Sequence, residues 1–334
     1  MRFWNRAALV AAILATPAVA DDCKPLTIVT SVDIQVTRPR AAVFAPVTMD
    51  GVQKMLLVDT GGAFGEITKD TADELKLDRE PVNVAVVDVS GEASYEAGRV
   101  KDLTIGNLHA SNVDFIIARH NPFGEGNGVI AGILAPDFLM NYDVEFDFGA
   151  GKMTLLSPDH CPGKVVYWPA AAVAIVPIHV AKGGHVALPV TLDGQRITAM
   201  LDTGASDTIV NLGTAEEKYG LAPDSPGVTP AGALNGSHGA PIWQHRFKTL
   251  AFGDENGNVT VANPQALLVP NLQGSRHETE GTLQNGTRLK PKDNEQIGLP
   301  DMLLGMSVLR HLHIYIAYGE QRLYVTAASA PPKP

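Results

Sequence analysis

Two identical triplets, Asp59-Thr60-Gly61 and Asp202-Thr203-Gly204, each end a run of apolar residues: Met55 to Val58 in the first case and Ala199 to Leu201 in the second. One such triplet carries little weight. Two in matching surroundings point to a single site to which each half of the chain gives one carboxylate. Two carboxylates about 3 Å apart cannot both ionise, so they share one proton. The pair is then base and acid at once. The ionised member takes a proton from water, and the protonated member donates to a carbonyl oxygen under attack. The two ionisations belong to the pair and not to either residue. The neighbours suit this chemistry. The hydroxyls of Thr60 and Thr203 can bond across a shared axis and lock the two loops together. Gly61 and Gly204 let the backbone turn tightly and present an N–H to a carboxylate. Gly62 and Ala205, which follow, are small enough for close approach.

The elements that must position these groups occur twice. At a shift of 143 residues the chain aligns on itself without a gap from Val43 to Lys76. Val43 to Gly51 lies over Val186 to Gly194, and each copy ends on Asp-Gly, a hairpin-turn signal. Each half therefore reads strand, turn, strand and triplet. A second apolar pair (Ile67 over Val210) and a short helix (Thr71 to Glu74 over Thr214 to Glu217) follow. Further on, Ile130-Ala131-Gly132 reads as the counterpart of Leu303-Leu304-Gly305, and Leu139 to Leu155 lies over Leu309 to Val325. The period is too long for a solenoid, so the pattern indicates a duplicated domain with pseudo-twofold symmetry. Short β-branched runs separated by turn signals, with few helices, indicate an all-β protein. The expected division is 1–20 leader, 21–165 first lobe and 166–334 second lobe, with the joint in the Pro-rich stretch Ser157 to Pro177.

The chain has 334 residues and a net charge of −10, with no block of Lys or Arg, which argues against nucleic acid or an anionic membrane as partner. Arg2 and Arg6, an apolar stretch from Ala7 to Leu14 and Ala18-Val19-Ala20 read as an export signal cleaved after Ala20. No other apolar run is long enough for a membrane span. The expected location is periplasmic or secreted. The two cysteines, Cys23 and Cys161, are then expected to form a disulfide that pins the mature N-terminus to the end of the first lobe. No metal or cofactor is expected. His311 and His313 share one face of a strand but lack a third ligand. There is no His-Glu-x-x-His or Gly-x-Ser-x-Gly motif, and Gly124 to Gly128 lacks the Lys of a phosphate loop.

The pattern apolar-apolar-Asp-Thr-Gly-small, followed by apolar-apolar-Gly and a short helix, resembles that of the retropepsin-like aspartic proteases. It is present twice, across nearly all of the chain after residue 20. The resemblance implies two homologous β-barrel lobes related by a pseudo-twofold axis, with a substrate cleft between them and few short helices. It implies Asp59 and Asp202 as the catalytic pair, with Thr60, Gly61, Thr203 and Gly204 in support. It also implies a peptide or unfolded protein substrate and a monomer whose two lobes pair within one chain. By the same resemblance, hairpins near Val87 to Ser94 and Ala233 to Gly239 would close over substrate.

Three departures from the family pattern stand out. Gly62-Ala63 replaces the more usual Ala or Ser and polar residue. Three extra residues lie between Gly132 and Leu139, compared with Gly305 to Leu309. The second lobe carries about 30 more residues before its apolar-apolar-Gly motif, mostly in the polar stretch Gly274 to Pro300. That stretch and its counterpart, Asn121 to Gly128, either shape specificity or are solvated insertions. Trp243 and His238 near the second hairpin read as a packed aromatic and a surface histidine. Two other readings stay open: a peptide- or protein-binding module that keeps the fold without activity, and a structural envelope protein.

Overall fold

A computed structural model describes residues 23–37, 41–87, 93–119, 121, 123, 128–181, 183–233, 239–253, 259–270 and 300–328. Strands dominate, with four helices of four to eight residues among the described residues. The expected leader, the two hairpin tips (88–92 and 234–238, with His238), most of the 121–128 loop and nearly all of the 274–300 stretch lie outside them.

In the first lobe, Val43–Met49 and Val52–Val58 form a hairpin whose two-residue turn, Asp50-Gly51, has positive φ at both positions (48° and 85°). That is the type I′ turn matching the twist of the strands it joins. The second lobe repeats it: Val186–Leu192, then Asp193-Gly194 at 44° and 81°, then Gln195–Leu201. Each turn carboxylate also pins a neighbouring strand. Asp50 accepts from the N–H of Asp102, and Asp193 accepts from those of Lys248 and Thr249.

The first-lobe sheet closes on itself. Its strands run in the order Val43–Met49, Val52–Val58, Ile130–Leu134, Glu66–Thr68, Leu108–Ala118, Ala93–Ile105. Thr48 and Met49 then pair with Thr104 and Leu103 to complete a six-stranded barrel. The second lobe follows the same order with two breaks. The counterpart of Ala93–Ile105 is split into Pro241–Arg246 and Thr249–Phe252. That of Leu108–Ala118 is split into Val259–Ala262 and Gln265–Val269. Pro264 lacks the N–H a ladder needs, and Asn263 has a φ of 51°. The N–H of Phe247 donates to the Pro264 carbonyl, and that of Asn263 to the Lys248 carbonyl, so the two breaks lie side by side.

A third sheet joins the lobes. Its order is Ile28–Asp33, Lys152–Leu156, Asp143–Asp147, Leu312–Ala317, Arg322–Ala327, Ala174–Pro177. The central pair is antiparallel, with Val144 opposite Ile316, Glu145 opposite Tyr315 and Phe146 opposite Ile314. At the shift of 170 residues that relates these strands, Val144 corresponds to Ile314 and Phe146 to Ile316. The pseudo-twofold axis therefore crosses the sheet at Glu145 and Tyr315. Asp143, Glu145 and Asp147 share one face of their strand, and segment 157–168 lies over it. His160 Nε2 meets Asp143 Oδ2 at 2.6 Å, the Tyr167 hydroxyl donates to Glu145, and Trp168 stacks on His313. Burial drives the Asp143 carboxyl up against the opposing pull of His160 and Tyr315. Cys23 and Cys161 are disulfide-bonded, which ties the start of the described chain to this segment.

Candidate active site

Val52–Val58 and Gln195–Leu201 carry the two triplets to the junction between the lobes. Beside each runs a parallel strand, Ile130–Leu134 or Met302–Leu304. The Asp59 N–H donates to the Leu134 carbonyl (3.0 Å) and the Asp202 N–H to the Leu304 carbonyl (3.1 Å). These equivalent bonds fix the register of the repeat. Leu303-Leu304-Gly305 corresponds to Ile133-Leu134-Ala135, not to Ile130-Ala131-Gly132 as the sequence motif suggested. The three extra residues expected after Gly132 therefore do not exist. The shift grows from 143 to 170 positions, so the second lobe is longer by 27 residues, all before its helix Met306–Leu309.

Gly132 is a glycine for a different reason. A β-carbon there would lie 1.9 Å from the Glu66 carbonyl oxygen, where two strands cross. Gly305 is equally constrained, with a β-carbon falling 2.3 Å from the Asp207 carbonyl oxygen, whereas its true counterpart carries the methyl of Ala135. The sequence motif matched two glycines that serve different crossings.

Thr60 and Thr203 are fully buried and bond reciprocally across the axis. The Thr60 N–H donates to Thr203 Oγ1 (3.1 Å) and the Thr203 N–H to Thr60 Oγ1 (3.0 Å). Each hydroxyl then donates into the opposite strand, Thr60 to the Leu201 carbonyl (3.1 Å) and Thr203 to the Val58 carbonyl (2.7 Å). The four bonds satisfy two N–H groups, two hydroxyls and two carbonyls, and all four cross between lobes.

The carboxylates sit above this lock. Asp59 Oδ1 accepts from the N–H groups of Gly61 (2.8 Å) and Gly62 (3.0 Å). Asp202 Oδ1 accepts from Gly204 (2.9 Å) and Ala205 (3.0 Å). Each glycine faces the other lobe's carboxyl. A β-carbon on Gly61 would fall 2.4 Å from Asp202 Cγ, and one on Gly204 would fall 2.4 Å from Asp59 Cγ. Burial, then the charge of Asp59, then the hydrogen bond between the two side chains hold the Asp202 carboxyl well above the ordinary range. The N–H groups of Ala205 and Gly204 pull the other way. A proton is therefore held between the carboxyls where isolated carboxylates would be ionised.

A second pair of contacts braces the loops, and nothing in the sequence pattern marked it. The Gly65 N–H donates to Asp137 Oδ2 (2.8 Å), and the equivalent Thr208 N–H donates to Ser307 Oγ (2.9 Å). Asp137 and Ser307 are each the second residue of a short helix, Pro136–Leu139 or Met306–Leu309. Their shared position becomes visible only after the register is corrected. His311 and His313 are not paired: His313 is buried against Glu145 (2.7 Å), while His311 is exposed beyond the strand end. Among the described residues, no three His, Cys, Asp or Glu side chains are grouped to hold a metal ion.

This arrangement of two lobes, two triplets and one shared pair of carboxyls is that of an aspartyl protease. The chain belongs to that family, whose sequence profile matches residues 45–138 and 188–308. Solved structures with the same fold include basic 7S globulin from soybean (TM-score 0.53, 10% identity, covering 91% of this chain and 96% of that one). An aspartic proteinase from Irpex lacteus is similar at TM-score 0.50 and 13% identity, covering 91% of this chain and 99% of its own. Conglutin gamma, a basic 7S globulin from lupine seeds, is similar at TM-score 0.50 and 10% identity, with 91% and 95% covered. No curated protein matches the chain in sequence. At these identities the likeness is one of fold, shared by proteins named as proteinases and as globulins.

Proposed function

We propose that the protein is an aspartic endopeptidase that hydrolyses peptide bonds with Asp59 and Asp202. The observation that carries this reading is the equivalence of the two carboxyls. Each is held by two N–H groups of its own loop and faces the other across a locked junction. A pure binding module has no need of two buried acids forced to share a proton. In the mechanism, the ionised carboxyl takes a proton from a water placed between the pair, and the water oxygen attacks the peptide carbon. The protonated carboxyl gives its proton to the carbonyl oxygen. Collapse of the tetrahedral intermediate breaks the C–N bond, and the amine leaves with a proton from the pair. Thr60, Gly61, Thr203 and Gly204 keep the carboxyls in place. No metal or covalent intermediate takes part. The substrate is a peptide or an unfolded protein, and a single chain supplies both halves of the site. The lobes are 21–165 and 166–334. Export to the periplasm or outside the cell fits the disulfide and the N-terminal signal pattern.

The test is cleavage of a mixed peptide library from pH 3 to 7 by the protein and by Asp59→Asn and Asp202→Asn. Loss in both variants supports the reading. A folded protein that cuts nothing, or variants that cut as well as the parent, would replace it with a binding role for the same cleft.

A further inference from the structure

A polar groove of about 390 Å³ lies at the paired strand breaks of the second lobe and reaches the loop that follows the second triplet. Ser206 and Asp207, four and five residues after Asp202, line one part of it. Arg246, Gln265, Arg310 and His311 line others. The first lobe, with its unbroken strands, keeps an arginine, Arg99, at the place of Arg246 but differs at other matching positions. Phe64 stands for Asp207, and Met140 and Asn141 stand for Arg310 and His311. Phe64 and Met140 are exposed apolar side chains (49% and 38%). The two sides of the axis thus present opposite chemistry at matching places.

Arg99 and Arg246 are equivalents: Arg99 stands opposite Asp114, and Arg246 opposite Gln265, in matching strand pairs. Arg99 forms a bidentate salt bridge, Nε to Asp114 Oδ1 at 2.7 Å and Nη2 to Oδ2 at 3.0 Å. In the second lobe Gln265 takes the place of the carboxylate. Among the described residues Arg246 is then held only by neutral acceptors, Gln265 Oε1 (2.8 Å) and the Asn263 carbonyl (3.1 Å). Among the described residues Arg310 bonds only to the His311 ring (3.4 Å). Among the described residues neither guanidinium has a carboxylate within salt-bridge distance, although the chain carries a net charge of −10. The part of the His311 ring that is covered, and the Arg310 charge beside it, hold its pKa below the ordinary imidazole value. The lining carries two guanidiniums against the one carboxylate of Asp207.

We propose that this groove is a subsite for an acidic side chain of a bound peptide, with Arg246 and Arg310 as its specificity-determining residues. The inference rests on the protease reading and assigns it a substrate class: peptides acidic where they run over the second lobe and apolar where they run past Phe64 and Met140 on the first. Guanidinium is suited to this work because it binds a carboxylate by two parallel hydrogen bonds, and its charge persists at any pH the dyad tolerates.

The test uses a cleavable peptide in a series carrying Glu or Gln at each position from four before to four after the scissile bond. At pH 6, Glu should exceed Gln in kcat/KM by about tenfold or more at one position, the size expected of a charge-assisted contact. Gln265→Asp, which rebuilds the salt bridge of the first lobe, and Arg310→Gln should each bring that ratio toward one. Arg310→Glu should turn the preference toward Lys. The same peptides are titrated by calorimetry onto the Asp202→Asn protein, which reads binding without cleavage. Peptides cut with a Glu-to-Gln ratio near one at every position, or a ratio that survives both Gln265→Asp and Arg310→Gln in proteins of unchanged melting temperature, would overturn the subsite and leave the protease reading intact. Acid-dependent binding without any cleavage would retain the subsite and overturn the protease. Absence of both would overturn both.

Discussion

Glu145 and Tyr315 stand opposite each other in the central strand pair, and each is the other's counterpart in the repeat. The local twofold axis passes between them, as it passes between Asp59 and Asp202. Paired substitutions on the two sides of the axis should therefore have similar effects near it and diverge away from it.

The threonine lock gives the first case. Replacing Thr60 or Thr203 with Val removes an acceptor and leaves a buried N–H of the other lobe unpaired. Unpaired buried groups cost about 1–3 kcal/mol each. Urea unfolding should show a loss of that order in either variant, equal within error, while Thr→Ser retains most of the stability.

The raised Asp202 pKa fixes a pH dependence. The folded state holds this proton more tightly than the unfolded chain does. Its stabilising contribution is therefore complete below the ordinary carboxyl range and is lost as pH rises through the folded-state pKa. Asp202→Asn removes the ionisation. The variant should gain on the parent as pH rises above about 4, by up to about 1.4 kcal/mol per unit of pKa shift. Denaturant titrations across pH 3 to 8 measure this; a constant gap would contradict a shared proton.

Gly61→Ala and Gly204→Ala place a methyl where the opposite carboxyl now lies. The carboxyls must separate, and displacement of a reacting group by about 1 Å can cost on the order of a hundredfold in rate. Steady-state assays should show at least that loss in both variants, with far-ultraviolet circular dichroism unchanged.

The corrected register predicts an unequal pair. Gly132→Ala drives a β-carbon into the Glu66 backbone, which cannot yield without parting two strands, and soluble folded protein should be lost. Ala135→Gly removes only a methyl beside the loop and should cost about 1 kcal/mol or less by thermal melting. The reverse outcome would restore the register suggested by the motif.

Cys23→Ser opens a loop closed over 138 residues. Loss of a bridge of this kind lowers stability by about 2–5 kcal/mol. Differential scanning calorimetry of the parent with and without reductant, beside the variant, should show the same fall in melting temperature.

Much of this arrangement was legible in the residues. Asp-Gly at both hairpins announced the turns because only a few residue types accept positive φ at two successive positions. The ungapped stretch from Val43 to Lys76 brought the two carboxyls and both threonines to one place. Legibility failed where a residue type answers to a tertiary contact. Gly132 looked like Gly305 because both are crowded by backbone, yet they sit at different crossings. Asp137 and Ser307 share a role with no shared chemistry beyond an oxygen that accepts an N–H, so no motif could join them. The paired breaks did leave a signal, Pro264 inside an otherwise strand-like run. Its consequence, an arginine parted from its usual carboxylate, required knowing which strands are neighbours.

The sheet that joins the lobes has a consequence for how the protein comes apart. Peeling Leu312–Ala317 from Asp143–Asp147 would bare an unpaired strand edge on each half, and such edges leave backbone groups without partners. Neither half can melt while the other stays whole at that edge. Heat or denaturant should therefore erase the carboxyl pair in one cooperative transition. A partial opening between the lobes has to bend the sheet beneath them rather than break it.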